Sequence, residues 1–168
     1  LVLTVAHEGV TCLTVEGTGT NLLWALTAGA QDAAPVGNSS YHRPLVHALS
    51  EAGSAVEGTR VGDATTEGGD LFTITGSYFG PKTTGGVAAP LVWYGPRDDL
   101  RRHTAVNCRV TTAHQKIVCA TAEGTGRQHA LALSVGGQRS EPYDANISYA
   151  APTVKSYASA WEGGGNGD

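Results

Sequence analysis

A period of two runs through this chain. In "LFTITGS" (71–77), Phe72 and Ile74 fall on one face and Thr73 and Thr75 on the other. In "HALALSV" (129–135), Leu131, Leu133 and Val135 share a face. "APLVWYG" (89–95), "AVNCRVT" (105–111) and "KIVCAT" (116–121) are further strand candidates, rich in β-branched or aromatic residues. Between them lie "EGGD", "GPKTTGG", "GPRDD", "EGTG" and "GGQ", all turn chemistry. No stretch shows a capped helical face. About six or seven short strands in about a hundred residues predict an all-β, immunoglobulin-like antiparallel β-sandwich.

The pattern occurs more than once. "HEGVTCLTVEGTGTNLLWALTAGAQ" (7–31) is answered by "HQKIVCATAEGTGRQHALALSVGGQ" (114–138), an offset of 107 residues from Cys12 to Cys119. Trp24, Leu26 and Ala28 then take the places of Leu131, Leu133 and Val135. After a one-residue insertion, Tyr41 and Pro44 meet Tyr149 and Pro152, and the "EGGD" at Glu67 is echoed from Glu162. A period this long exceeds the roughly 20–50 residues of a solenoid unit and matches a whole small β-domain. The expected division is therefore the C-terminal part of a first repeat (1–43), a complete repeat (44–151) and the start of a third (152–168). With no Met in the sequence, the chain reads as an interior piece of a longer tandem array.

Composition narrows the classes. Glycine is abundant at 23 residues, charged residues are scarce at 15%, and the formal net charge is −4. There is no basic stripe for nucleic acid. No apolar run approaches about 18 residues, so direct membrane insertion by a helix is not expected, and no signal-peptide pattern opens the chain.

"EGGDLFTITGSYFGP", then a cysteine-containing hairpin, then "EGTG", "SVGGQ" and "SYAAPTV" together resemble the IPT/TIG family of immunoglobulin-like domains. The copies are similar to the tandem repeats of large extracellular proteins, such as fibrocystin-like and algal or protist surface proteins. The stretch from Pro44 to Glu67, read as a linker, is longer than that family usually shows.

Three cysteines occupy two repeat positions. Cys108 and Cys119 flank a strand–turn–strand segment and could close a hairpin disulfide, as the resemblance also implies; the alternative is two buried free thiols. Cys12 lacks a counterpart partner, since the matching position holds Leu1, so it is unpaired or paired outside this segment. Without a CxxC or a paired histidine, these cysteines do not make a zinc set.

Asn38-Ser39-Ser40 and Asn146-Ile147-Ser148 are both N-glycosylation sequons, each three residues before a matched tyrosine. Either they carry glycan, or duplication copied an accidental triplet. Together with a disulfide they point to a secreted, extracellular or cell-surface protein. Thr65, Thr66, Thr83 and Thr84 are compositional candidates for O-linked sugar.

Other chemistry is weak. "EGTGRQHA" has the outline of a dinucleotide fingerprint, but a strand follows where that motif needs a helix. His42 and His47 fall in the Pro-containing linker as solvated residues, and His7 and His114 share a turn or strand-edge position. Asp63, Glu67, Asp70, Asp98 and Asp99 sit in loops, as solubilising charges or as a weak calcium site. Trp93 and Tyr94 are candidate sugar-stacking aromatics, one of which an alternating strand would bury. No nucleophile, acid–base set or cofactor site emerges, apart from a covalent N-linked glycan.

The expected function is non-enzymatic: glycosylated tandem repeats forming part of a surface coat, rod or filament. The expected partners are other copies or neighbouring repeats, together with glycans, and no nucleic acid. The alternatives are a receptor or adhesin ectodomain binding a protein or glycan through its loops, and accessory repeats of an enzyme whose catalytic domain lies elsewhere.

Overall fold

Alternating apolar residues that must bury one face produce two sheets rather than a single ribbon. The structure is a computed structural model that describes residues 2–5 (backbone only), 8–52, 61–84 and 88–157. Leu1, His7 and the echo from Glu162 lie outside these residues. The first part holds three antiparallel ladders built from β1 (Val2–Val5), β2 (Gly9–Thr11), β3 (Leu22–Trp24), β4 (Thr27–Ala28), β5 (Gln31–Asp32) and β6 (Val36–Ser39). They pair as β1 with β2, β3 with β6 and β4 with β5.

The second part is an antiparallel β-sandwich of the immunoglobulin-like kind. Its strands are β7 (Leu45–Glu51), β8 (Leu71–Ser77), β9 (Leu91–Gly95), β10 (His103–Thr104), β11 (Val106–Thr112), β12 (Lys116–Ala120), β13 (His129–Val135), β14 (Gln138–Arg139) and β15 (Tyr143–Ile147). One sheet runs β11-β12-β8-β7; the other runs β10-β9-β13, with β14 and β15 both pairing with β13. Between them Phe72, Ile74, Ile117 and Cys119 meet Val92, Tyr94, Leu131, Leu133 and Ile147, all fully buried. Among the described residues there is no helix, and none long and apolar enough to cross a membrane.

One expectation needs correction. Residues 45–51 are not linker: they form β7, which pairs with β8 from Leu45↔Ser77 to Glu51↔Phe72 and buries Leu49. The strand lies at a sheet edge with much of its length exposed, so its alternation in sequence is faint. The rest of the stretch read as linker contributes to packing too, because Val61 and Ala64 are buried and Ala64 bridges Tyr149.

The two copies agree at the level of register. Leu22↔Ser39 and Trp24↔Val36 reproduce His129↔Ile147 and Leu131↔Tyr143, with an irregularity at the same place. Thr27↔Asp32 and Ala28↔Gln31 reproduce Ser134↔Arg139 and Val135↔Gln138. Val2↔Thr11, Leu3↔Val10 and Val5↔Gly9 reproduce Arg109↔Val118, Val110↔Ile117 and Thr112↔Lys116. The "EGTG" loop of the first copy rests on the second. Thr18 lies so close to Gly80 and Gly136 that a Cβ on either would fall 2.4–2.5 Å from it. Both glycines also have positive φ, which side chains rarely adopt. Around this seat Glu16 meets His114 at 3.0 Å, Arg43 meets Glu141, and Gln138 Nε2 donates to the Tyr41 carbonyl.

Candidate functional site

The period of two places His129 on the same face as Leu131, Leu133 and Val135, and that face is the core. His129 is buried beside Tyr94, His103 and Tyr149, with ring centroids 5.2–6.4 Å apart across the group. Tyr149 donates its hydroxyl to the Ala122 carbonyl at 2.7 Å, so its oxygen accepts from Tyr94 at 2.6 Å. The Tyr94 oxygen in turn accepts the Ala122 N–H at 2.8 Å. Burial raises the pKa of both tyrosines, so both stay neutral. His129 donates Nε2–H to the Thr125 carbonyl at 3.1 Å, which leaves its Nδ1, like His103 Nε2, buried without a partner. The cluster escapes a reading by sequence spacing, although the face assignment of His129 was available in the alternation.

This arrangement predicts an acid-sensitive sandwich. Burial pushes the His129 imidazole below its ordinary 6.5; the Thr125 carbonyl opposes that shift, and His103 and Arg102 reinforce it. Below 6.5 the unfolded chain therefore takes up a proton that the folded one resists. The contribution to stability is complete above the ordinary value and declines as pH falls through the window beneath it. Urea midpoints measured at about pH 7.5 and about pH 5 should show that decline. His129→Leu, which installs the residue found at the matching Leu22, should flatten it; an unchanged pH slope would refute the assignment.

Cys108 and Cys119 form a disulfide between the neighbouring strands β11 and β12, while Cys12 is a free, exposed thiol. The asparagines of both sequons are exposed. The sequon serines have structural work as well. Ser40 Oγ accepts the Asn21 N–H at 3.2 Å and Ser148 Oγ accepts the Gln128 N–H at 3.1 Å. Those two N–H groups belong to matched residues that both have φ of 56°. Retention of the serine thus has a folding reason, and the glycan reading rests on the exposed asparagines.

Trp93 and Tyr94 separate as alternation requires. Tyr94 is fully buried in the cluster above, which removes it as a stacking surface, and Trp93 is half-buried on the outer face of the sheet. The Arg101 and Arg139 guanidinium carbons lie 5.1 Å and 5.7 Å from its ring centre. No sequence spacing could have found this trio, because strand pairing assembles it.

The loop acids do not converge. Asp70 accepts from Thr65 at N and Oγ1, Asp99 pairs with Arg102, and Asp63, Glu67 and Asp98 stand exposed. Among the described residues no three His, Cys, Asp or Glu side chains are grouped to hold a metal. His42 stacks on Tyr78 at 4.8 Å, and His47 is exposed on β7. The strand β13 follows "EGTG", so the loop lacks the helix that would aim amides at a pyrophosphate.

In the first copy the matching apolar face is open. Leu13, Val15, Leu22, Trp24 and Tyr41 line a cleft of 640 Å³. Trp24 is 46% and Leu26 44% exposed, whereas the matched Leu131 and Leu133 are 0% exposed, and Leu13 is 94% exposed where the matched Ala120 is buried. Tyr41 still donates its hydroxyl to the Val15 carbonyl at 2.7 Å, as Tyr149 does to Ala122. No protein-family model matches the chain, and no curated protein sequence matches it.

Proposed function

We propose that this chain is a segment of a non-enzymatic extracellular structural protein. In this reading, glycosylated tandem immunoglobulin-like repeats of the IPT/TIG kind form part of a surface coat, rod or filament. Residues 1–43 are then the C-terminal part of one repeat, and strands patterned like β8 and β9 complete it. The observation that carries this reading is the paired structure of the two copies. The first has the register and the tyrosine hydrogen bond of the second, and its core-forming face lies open. Large exposed apolar faces mark surfaces built to be covered. The disulfide and the exposed sequon asparagines support an oxidising, secretory compartment.

Two measurements on native material test the proposal. Glycopeptide mass spectrometry should find sugar at Asn38 and Asn146, and Asn→Gln at either should remove one glycan mass. Electron microscopy should show repeats joined end to end in extended assemblies. Bare asparagines together with isolated globular particles would defeat it.

A further inference from the structure

Strand pairing places an unneutralised cationic pair around an aromatic ring. Trp93 lies opposite Thr104 on β10 and Ala132 on β13, so its strand is already paired on both sides. Arg101, from the turn before β10, and Arg139, from β14, both approach the indole. Other arginines are cancelled pairwise: Arg97 donates to Asp144 through Nε and Nη2, Arg102 meets Asp99, and Arg43 meets Glu141. Among the described residues neither Arg101 nor Arg139 has a carboxylate partner. In a chain with a formal charge of −4, these two guanidiniums stand exposed without a carboxylate of their own.

We infer that the Arg101–Trp93–Arg139 face is a binding site for an acidic saccharide, a sugar unit bearing carboxylate or sulfate. Guanidinium groups present planar donor forks that match carboxylate and sulfate oxygens, and an anion between them completes their hydrogen bonding. The indole lies beneath both guanidiniums and holds the two forks over one ring, so that they meet a single anionic sugar unit together. The saturated backbone favours a saccharide over a peptide, because an extended peptide binds by adding to an unpaired strand edge. The site goes beyond the structural reading and depends on neither the array nor the sequons.

The test is calorimetric titration of the whole chain with four probes: polygalacturonate oligomers, heparin oligomers, neutral dextran oligomers and oligoglutamate. At least one acidic saccharide should bind, with affinity falling as salt rises. The tighter of the two identifies carboxylate or sulfate as the preferred group. R101Q/R139Q should weaken binding about tenfold or more, and Trp93→Phe should weaken it less. Thermal unfolding of the double variant should match the parent, since both arginines are exposed. Four outcomes would overturn the inference: no binding by either acidic saccharide, undiminished binding by R101Q/R139Q, equal binding of dextran, or oligoglutamate binding as tightly as the saccharides.

Discussion

Truncating Tyr94 to alanine is expected to lower the stability of the sandwich by about 3–5 kcal/mol, the range for large buried aromatics. Its side chain is fully buried, with its ring edge-on to Phe72 at 6.4 Å and tilted against His103 at 5.2 Å. The loss combines a cavity with two broken hydrogen bonds. The Ala122 N–H loses its acceptor, while Tyr149 keeps its bond to the Ala122 carbonyl. Tyr94→Phe keeps the ring and should cost about 1–3 kcal/mol, the penalty of a buried N–H without a partner. Urea unfolding near neutral pH separates the two variants. Equal effects from both would mean that the hydroxyl dominates and the packing assignment is wrong. Since small domains are stable by only about 5–15 kcal/mol, the alanine variant should be marginal.

Opening the Cys108–Cys119 bridge is the second large effect. The bond spans a separation of 11 residues, and in the chain-entropy description closing a loop of this size is worth about 3 kcal/mol. Cys108→Ala with Cys119→Ala should therefore lower the urea midpoint strongly, and the reduced parent should behave like the double variant. Cys12→Ala should leave stability unchanged, because that thiol is exposed and unbridged. A parent that unfolds identically with and without reductant would contradict the bridge's role. Both alanines remain in apolar surroundings, so the comparison reads the crosslink together with a modest loss of side-chain volume.

Much of the sandwich is legible in the alternation of residues. β8, β9, β11, β12 and β13 fall within a residue or two of "LFTITGS", "APLVWYG", "AVNCRVT", "KIVCAT" and "HALALSV". These strands bury a full apolar face, and burial of that kind writes a strong period. β7 escaped because Pro44 precedes it and its exposed residues weaken the contrast between faces. β10 and β14 are two residues long, too short to carry a period of any kind. The duplicated phrase proved more informative than local propensity, because copied residues keep their ladder partners even where an open face has no core to hold. The tyrosine–histidine cluster and the Trp93 site depend on contacts between residues far apart in the chain. The Tyr94–Tyr149 bond, for example, spans 55 positions.

The seat of Thr18 between Gly80 and Gly136 bears on mechanics. It joins unlike surfaces, a loop on one copy and a pair of side-chain-free positions on the next, so the contact is heterologous. The second copy carries the same "EGTG" sequence at Glu123–Gly126. An array that used this seat at every junction would apply one fixed rotation and one fixed advance per repeat. Such an operation is a screw. Its pitch would follow from how closely a threonine can approach two bare backbones, and its resistance to torsion from the Glu16–His114 and Arg43–Glu141 contacts that flank the seat.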